Sequence, residues 1–446
     1  METERTAPGV AALEPQAERR RGPLRSLLAN RELMRAGGLA AAFMAQNGIQ
    51  LVFMVIAARL LGASSYGSLA RLVSLFLILS VAGQAIQVAT AREVAGERLG
   101  GGGALASTVR RWLARLIWIT VAVALVSALL REPIAALVSV DQEWAAATAL
   151  PMGCVWLLLS IERGALQGLR EYGAAGWSIV LEAFGRLVLG VGLIAAGGGV
   201  TGAYLGMALA IVGTAAVLDV VLHRKLGRPA RERHVQTLRR LFAGAWAPIA
   251  GLTLVFFLQN VDVIVVGHVM GGDEAGDYAV AAQAARAVFW LAVGIGLYVV
   301  PEATRRALDE KDPRPILGRG LTLLIAAAIP ALAIFVLAPE LVLRLAFGSD
   351  LTGGADALAI LGGAMTALAV TYLAVQYLLA LHRFGFLAVL AAVAVAEVVA
   401  LLALGLESLA EFSVVVLAAQ ACAAGGVLAW ALATRRGRAL AAPIVP

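Results

Sequence analysis

Long apolar stretches of about 20 residues recur through the whole chain, separated by short polar segments. Of its 446 residues, 61% are hydrophobic and only 15% are charged. A helix of about 20 apolar residues is long enough to cross the ~30 Å hydrocarbon core of a bilayer. Barrel strands are shorter, and open sheet edges are excluded from lipid. The pattern therefore predicts an all-α polytopic membrane protein and argues against a soluble chain of several domains.

Twelve such stretches can be placed as helical spans. They divide the chain into a basic cytosolic tail (1–36) that is mostly disordered, an N-terminal lobe of six helices (37–222), a basic cytosolic linker (223–242), a C-terminal lobe of six helices (243–433) and a cytosolic tail (434–446). The predicted spans are 37–61, 67–91, 112–130, 146–168, 175–196, 200–222, 243–267, 277–301, 317–338, 355–380, 385–405 and 411–433.

The loops alternate in charge along the chain. Arginine concentrates in both tails and in the loops after spans 2, 6 and 8, whereas acidic residues such as Glu132, Asp141, Asp273 and Asp350 occupy the opposite loops. Because cytoplasmic loops of membrane proteins are enriched in Lys and Arg, both termini are predicted to be cytoplasmic. An even number of spans agrees with that orientation.

The two halves of the chain repeat each other at an offset of 209 residues. Further along, "LREYG" (169–173) matches "LHRFG" (381–385) at an offset of 212. Six spans per half give the halves the same orientation, so they form parallel repeats related by an axis along the membrane normal. Such proteins place their site between the halves, which predicts a transporter. The matched pairs are Gln50/Gln259, Arg59/His268, Gly62/Gly271 and Gly67/Gly276.

Nothing in the chain has the pattern of an enzyme site. The glycine run 100–103 is not followed by a phosphate-loop lysine, and the two cysteines and four histidines lack the spacing of metal ligands. The sequence therefore predicts no enzymatic activity, no cofactor and no metal.

Charged residues inside the spans are candidate site residues, because a charge at mid-bilayer costs roughly 2.5–3.5 kcal/mol. Arg71 lies near the start of span 2, Arg286 lies deeper in span 8, and Arg59 ends span 1. Each could instead extend to the interface. Asp262 in span 7 could bind a proton or cation, or form a structural pair with an arginine. Gln50 and its repeat partner Gln259 could bond a sugar or hold helices together.

Two further charges of the spans favour structural roles. Glu182 and Arg186 stand four residues apart in span 5, which puts them on one face where each neutralises the other. Glu397 in span 11 lies near the equivalent position and has no partner in its own helix.

The stretch "ARLLGASSYGSLARLVSLF" (58–76) resembles a turn between helices 1 and 2 of the polysaccharide flippases of the MOP (MATE-like) superfamily, including the Wzx-type O-antigen and lipopolysaccharide biosynthesis transporters. In the second half, "NVDVIVVGHVMGGDEAGDYAVA" (260–281) and Pro301 are similar to the corresponding pattern. The resemblance spans nearly the whole chain outside the tails. The motif residues are Ala58, Arg59, Leu61, Gly62, Tyr66 and Gly67.

The resemblance implies a cavity between two lobes, lined by spans 1, 2, 7 and 8, in the bacterial inner membrane. The implied cargo is an oligosaccharide linked to polyprenyl diphosphate, and a polysaccharide polymerase and glycosyltransferases would be partners; nucleic acid would not. Arginine suits such cargo because its planar fork grips phosphate oxygens and stays charged. The substrate-binding residues are then predicted to be Arg71, Arg286, Arg59, Gln50 and Gln259, with Asp262 coupling transport to an ion.

Two other functions remain open at this point. A multidrug or small-molecule cation-coupled antiporter, of MATE or major facilitator type, would also have parallel six-helix halves. A membrane polymerase or ligase would normally need a large outer loop, and the longest one here, about 131–145, is short. Lipid II flippases of the superfamily usually carry two further helices, which this sequence lacks.

Overall fold

A computed structural model describes residues 23–99, 102–229, 237–309 and 311–433. The first 22 residues of the predicted N-terminal tail, the whole predicted C-terminal tail (434–446) and the middle of the basic linker lie outside the described residues. Every regular element of the described residues is helical: α1 Pro23–Ala95, α2 Gly103–Leu129, α3 Arg131–Leu137, α4 Glu143–Gly168, α5 Tyr172–Leu193, α6 Gly199–Leu226, α7 Leu238–Val269, α8 Gly272–Leu308, α9 Arg314–Leu337, α10 Pro339–Ala346, α11 Ala355–Ala380, α12 Phe386–Ala403 and α13 Leu409–Ala433.

The predicted fold class is confirmed. In the described residues, ten helical runs are long and apolar enough to cross a membrane, and two of these, Ala41–Ala95 and Tyr172–Leu226, are 55 residues long. At 1.5 Å per residue each would reach roughly 80 Å, more than twice the hydrocarbon thickness. Both are interrupted, so each holds two spans and the ten runs contain the twelve predicted ones.

Glycines make these two interruptions. Gly62 in α1 has φ 74° and ψ 174°. The π-helical turn Ile194–Gly198 between α5 and α6 contains Gly197 at φ 88° and is followed by Gly199 at φ 52°. A side chain would strain these backbones, whereas glycine adopts positive φ readily. We call 23–61 and 63–95 the first and second limbs of α1.

The outward surface of several helices is apolar. Trp118 and Leu129 on α2 are 74% and 82% exposed, and Leu337 on α9 is 83% exposed. Exposed apolar side chains on this scale are unfavourable in water, but they match a hydrocarbon solvent. The distribution fits a protein whose outer helices face lipid.

The two halves repeat in three dimensions. We call α1–α6 the N-terminal lobe and α7–α13 the C-terminal lobe. In the first, α1 packs against α4 and α5 against α6; in the second, α8 packs against α11 and α12 against α13. Small residues allow these approaches: a side chain at Gly206 on α6 would lie 2.6 Å from the backbone of Gly190 on α5.

Two short helices, α3 and α10, occupy segments that the sequence predicts to be loops. They follow spans 3 and 9, so the repeat extends to them. With 7 and 8 residues they are too short to show a helical period in the sequence. Helix α1 also begins at Pro23, earlier than the predicted start of span 1 at residue 37.

Candidate substrate and coupling site between the lobes

The lobes meet tightly at one end of spans 2 and 8. The acidic loops and the short helices α3 and α10 lie at this end of the spans, which we call the acidic end. The opposite end, with the arginine-rich loops, is called the basic end. An ideal Cβ built on Gly67 would lie 2.9 Å from the Cα of Gly276. These two glycines are repeat partners, so they face each other where the axis relating the lobes passes. A side chain at Gly276 would also collide with the backbone of Ala63.

Burial shows that this closure does not continue along the spans. Residues 66–74 on the second limb of α1 and 278–282 on α8 are buried on every side. Toward the basic end both helices have an exposed face, marked by Gln84 and Val88 on α1 and by Trp290, Leu291 and Tyr298 on α8. A helix buried all round is enclosed by neighbours, whereas a helix with an exposed stripe has an open side. The spans are therefore enclosed at the acidic end.

Arg71 lies at this enclosed interface. It is only 5% exposed, its Nη2 donates to Ser68 Oγ at 3.0 Å, and its side chain packs against Gly267 on α7. Its buried Nε and Nη1 have no hydrogen-bond partner. No carboxylate oxygen of the described residues lies within 4.0 Å of the guanidinium, although Asp141 acts on it from farther away.

Arg286 reaches the interface from the C-terminal lobe. It is 6% exposed, Nη2 donates to the Gln259 carbonyl at 3.2 Å, and Nη1 approaches Gln283 Oε1 at 3.4 Å. Its Nε has no partner, and no carboxylate of the described residues is within 4.0 Å. It interacts electrostatically with Asp262 on its own lobe and with Tyr66 on the other.

The two arginines contact α7 at different heights. Arg286 touches it at Gln259 and Arg71 at Gly267, eight residues apart, which is about 12 Å along a helix. Both side chains thus lie where the lobes meet, but in this conformation their guanidinium groups do not converge on one point.

Asp262 is fully buried beside Arg286. Its Oδ2 accepts a hydrogen bond from Tyr278 Oη at 2.7 Å, and its Oδ1 has no partner. Tyr278 belongs to the G-x-Y segment of α8, so this bond joins spans 7 and 8. Sequence reasoning missed the tyrosine because its partner lies sixteen residues away on another helix.

Glu397 on α12 is buried near the same cluster. Gln420 Nε2 on α13 lies 3.2 Å from one oxygen of Glu397 and also donates to the Leu258 carbonyl at 2.9 Å. The partner that the sequence could not supply for Glu397 is therefore an amide of the next span. Two buried carboxylates, Asp262 and Glu397, interact electrostatically inside the C-terminal lobe.

The remaining predicted site residues lie in different surroundings. Gln259 is 1% exposed and its amide nitrogen has no partner, whereas Gln50 is half-buried in the first limb of α1. Arg59 is exposed at the acidic end, where its Nη2 donates to the carbonyls of Leu345 and Ala346, both at 3.2 Å. The structure thus brings Arg286, Asp262 and Gln259 together and places Arg71 and Arg59 nearer the acidic end.

A second buried charge cluster lies inside the N-terminal lobe. Glu182 forms an ion pair with Arg186 on the same helix, as the spacing predicted, and a second one with Arg163 on α4 at 3.1 Å. Arg163 also donates to Ser178 Oγ at 3.0 Å, and both guanidinium groups stack on Trp156. Sequence reasoning overlooked Arg163, although an arginine within the apolar span 4 was the available signal.

Comparison with known proteins agrees with this architecture. The family described as "Polysaccharide biosynthesis protein" matches residues 36–302, more than half of the chain. A comparison with curated proteins found no match.

Solved structures share the fold at low identity. A multidrug resistance MATE family transporter of the MOP superfamily, inward-facing, is 13% identical over 87% of this chain and 94% of that chain, with a TM-score of 0.70. The lipid II flippase MurJ, inward closed, is 12% identical over 89% and 87%, with a TM-score of 0.71. A MOP superfamily transporter from Pyrococcus furiosus is 14% identical over 89% and 94%, with a TM-score of 0.61.

These relatives are transporters and flippases rather than enzymes, and their fold is the one predicted from the turn at 58–76. The matched family covers more than half of the chain, and the solved structures share its fold. The chain belongs to the polysaccharide biosynthesis protein family and has the fold of the MOP superfamily.

Proposed function

We propose that the protein flips an oligosaccharide linked to polyprenyl diphosphate across the bacterial inner membrane, for the synthesis of cell-surface polysaccharide. The lobes would alternate between a state open at the basic end and a state open at the acidic end, the usual behaviour of repeated helical transporters. The matched family and the fold support transport of such a lipid-linked sugar. The interface arginines of the site suit the negative charge of its diphosphate.

The observation that carries the proposal is the state of the two interface arginines. Arg71 and Arg286 come from opposite lobes and are buried without a carboxylate within ion-pair distance, and together they leave three guanidinium nitrogens without a partner. A buried charge without a counter-ion is costly. Phosphate oxygens would supply both the counter-charge and the missing acceptors, since guanidinium binds them bidentately.

The cargo would engage these groups in two steps. Because the two guanidinium groups sit at different heights along α7, the diphosphate cannot contact both in the conformation described. We infer that Arg286 and Arg71 converge on it as the lobes rearrange, with Gln259 and Gln50 bonding the sugar. Arg59, which contacts α10 here, would be free to join them only when the acidic end opens.

Asp262 is the proposed coupling residue. It is a buried acid in a span of the interface, with one oxygen bonded to Tyr278 and the other free. Binding of a proton or cation there would change the net charge beside Arg286 and so bias the lobes between their two states.

Orientation is proposed from the loop charges: both termini in the cytoplasm and the acidic end in the periplasm. A variant lacking Cys154 and Cys422 provides the background for a labelling test. A membrane-impermeant thiol reagent should modify Asp350→Cys and spare Arg228→Cys in intact cells, since both positions are exposed at opposite ends. The opposite labelling pattern would invert the proposed direction of transport.

The flippase proposal is tested by complementation of a strain that lacks its polysaccharide flippase. Arg286→Ala should abolish surface polysaccharide with the protein still in the membrane, and Arg286→Lys should restore only part of it, because lysine keeps the charge but loses the planar fork. Arg115→Ala, which removes an exposed arginine from α2, is the matched control and should remain active. Full activity of the Arg71→Ala, Arg286→Ala double variant would refute the role.

One observation favours a second candidate function. The C-terminal lobe buries two carboxylates, Asp262 and Glu397, which would suit a cation-coupled antiporter of the MATE type. Export of cationic drugs by the purified protein in vesicles, with no complementation of the flippase strain, would favour it.

A further inference from the structure

Arg59 connects the two lobes at the acidic end. It belongs to the first limb of α1, yet its Nη2 donates to the carbonyls of Leu345 and Ala346, which form the last turn of α10 in the other lobe. A cation at the C-terminal end of a helix is favourable, because the last carbonyls carry the negative end of the helix dipole.

His268 makes the equivalent contact in the opposite direction. It lies at the end of α7, and its Nε2 is 3.1 Å from the carbonyl of Ala136, in the last turn of α3. His268 is the repeat partner of Arg59, and Ala136 is the repeat partner of Leu345, both at an offset of 209 residues. The two contacts are therefore one arrangement made twice, and each joins a long span of one lobe to the short helix of the other.

The two short helices end in the same way. Ser139, two residues after α3, has φ 53°, and Gly348, two residues after α10, has φ 116°. A left-handed residue at this position is a common way to end a helix. Ser139 Oγ also donates to the Gly267 carbonyl at 2.6 Å, which adds a further hydrogen bond between the lobes next to His268.

The chemistry of the pair is matched as well. Both ring nitrogens of His268 face carbonyl oxygens, since Nδ1 lies 3.3 Å from the Ile264 carbonyl. An imidazole donates from a protonated ring nitrogen, as a guanidinium does from its N–H groups. The last turn of each short helix thus faces a side-chain nitrogen of the other lobe, His268 at α3 and Arg59 at α10.

We propose that Arg59 and His268 are a pair of positioning residues that latch the acidic end shut, each by capping the short helix of the opposite lobe. The inference rests on the alternating movement of the lobes proposed above. Opening the acidic end separates the long spans from the short helices and must break both contacts. The two contacts therefore set how often the acidic end opens, and α3 and α10 are the helices on which they act.

A disulfide between the lobes can report this closure without any cargo. Ser64 Oγ lies 2.7 Å from the place where a Cβ on Gly272 would stand, so the Ser64→Cys, Gly272→Cys pair is within disulfide reach when the acidic end is shut. The pair is introduced into the background without Cys154 and Cys422, and its rate of oxidation is measured in purified protein in nanodiscs.

Arg59→Ala and His268→Ala should each slow disulfide formation about three- to tenfold, the range expected for the loss of a side-chain hydrogen bond between partly exposed groups. The double variant should be slower than either. His268→Arg should retain the fast rate, because it places the same cation at both positions. Arg344→Ala, which removes an exposed cation from α10 itself, is the control and should react like the parent.

Equal rates for the parent, Arg59→Ala and His268→Ala would overturn the latch, and so would a slow His268→Arg variant. Each variant is first shown to elute as a single species on gel filtration, and Arg59→Met, which keeps an unbranched side chain but removes every donor, replaces Arg59→Ala if that protein does not fold. Because oxidation is measured without substrate, slow oxidation in these variants would support the latch even if the parent protein failed to complement the flippase strain, and that failure would count against the flippase proposal alone.

Discussion

Among the described residues, four arginines are buried, and they fall into two kinds. Arg163 and Arg186, inside the N-terminal lobe, share the carboxylate of Glu182 and stack on Trp156. Arg71 and Arg286, where the lobes meet, have no carboxylate within ion-pair distance.

The difference follows from what each place must do. A cluster inside one lobe stays together while the lobes move, so its charges can be neutralised once and for all. Charges between the lobes must be available to a ligand in at least one state, and a permanent counter-ion would compete with it. Burying them unpaired is costly, which is why an intramembrane charge of this kind indicates a functional site.

The largest expected effect comes from breaking the paired cluster. Glu182→Ala would leave Arg163 and Arg186 buried together without an ion-pair partner, since the buried Glu162 carboxylate acts on Arg163 only from beyond 4.0 Å. Removal of one partner of a buried pair typically costs about 3–5 kcal/mol. We expect a large loss of thermal stability in detergent and little protein in the membrane, measured by fluorescence-detected gel filtration.

A combined replacement sharpens this test. Changing Glu162→Gln, Arg163→Met, Glu182→Leu and Arg186→Met together also neutralises the buried Glu162 beside Arg163 and so removes every charge of the cluster, and apolar replacements of buried ion pairs are often neutral. This variant should be more stable than Glu182→Ala. If Glu182→Ala were as stable as the parent, the cluster would not be the neutralised unit described above.

The interface arginines should respond in the opposite direction. Arg71→Met removes a buried charge with no carboxylate within 4.0 Å, so it should leave the protein as stable or stabilise it by up to about 3 kcal/mol, while transport is lost. Arg286→Met also removes the positive charge beside buried Asp262, so any stabilisation should be smaller, with the same loss of transport. Thermal unfolding and complementation of the flippase strain are measured on the same variants. A destabilisation as large as that of Glu182→Ala would show that these arginines are structural.

Much of the fold could be predicted because membrane spans have a strong local signal. Twelve apolar blocks and the repeat gave the architecture, and the i, i+4 spacing gave the Glu182–Arg186 pair. The short helices α3 and α10 could not be predicted, since 7 or 8 residues carry too little periodicity and the side chains that contact their last turns come from the other lobe.

The site was harder to predict because its partners lie on different helices. Charge alone marked Asp262, Arg71 and Arg286, but the bond from Tyr278 and the level of each arginine along α7 depend on how the spans pack. Arg59 shows the limit most clearly. Its type and position in the turn motif suggested phosphate binding, whereas in the structure it contacts carbonyls that are 286 and 287 residues away in the chain.

A smaller effect is expected at the hydrogen bond beside Arg286. Tyr278→Phe removes the only donor that the described side chains offer to Asp262 and leaves both buried oxygens unsatisfied, at a cost of roughly 1–2 kcal/mol. Tyr372→Phe is the control, because that hydroxyl accepts from the neutral amide of Gln376 at 2.7 Å in the same lobe. The unfolding temperature should fall further for Tyr278→Phe than for Tyr372→Phe. Equal changes would mean that the hydrogen bond from Tyr278 does not stabilise the Asp262 carboxylate.

The smallest effect on stability and one of the sharpest on function should come from Asp262→Asn. The amide oxygen can still accept the Tyr278 hydroxyl, and a neutral amide is easier to bury than a carboxylate, so the stability should change by less than about 1 kcal/mol. The variant can no longer bind a proton or cation at this position, so transport should weaken and lose its dependence on the driving ion.

Glu397→Gln makes the same chemical change at the second buried carboxylate, which already contacts the Gln420 amide, and should leave that dependence in place. Ion-dependent flipping in vesicles separates the two variants. If Asp262→Asn transports like the parent with the same ion dependence, Asp262 belongs with the structural charges of the N-terminal lobe and the coupling residue must be sought elsewhere.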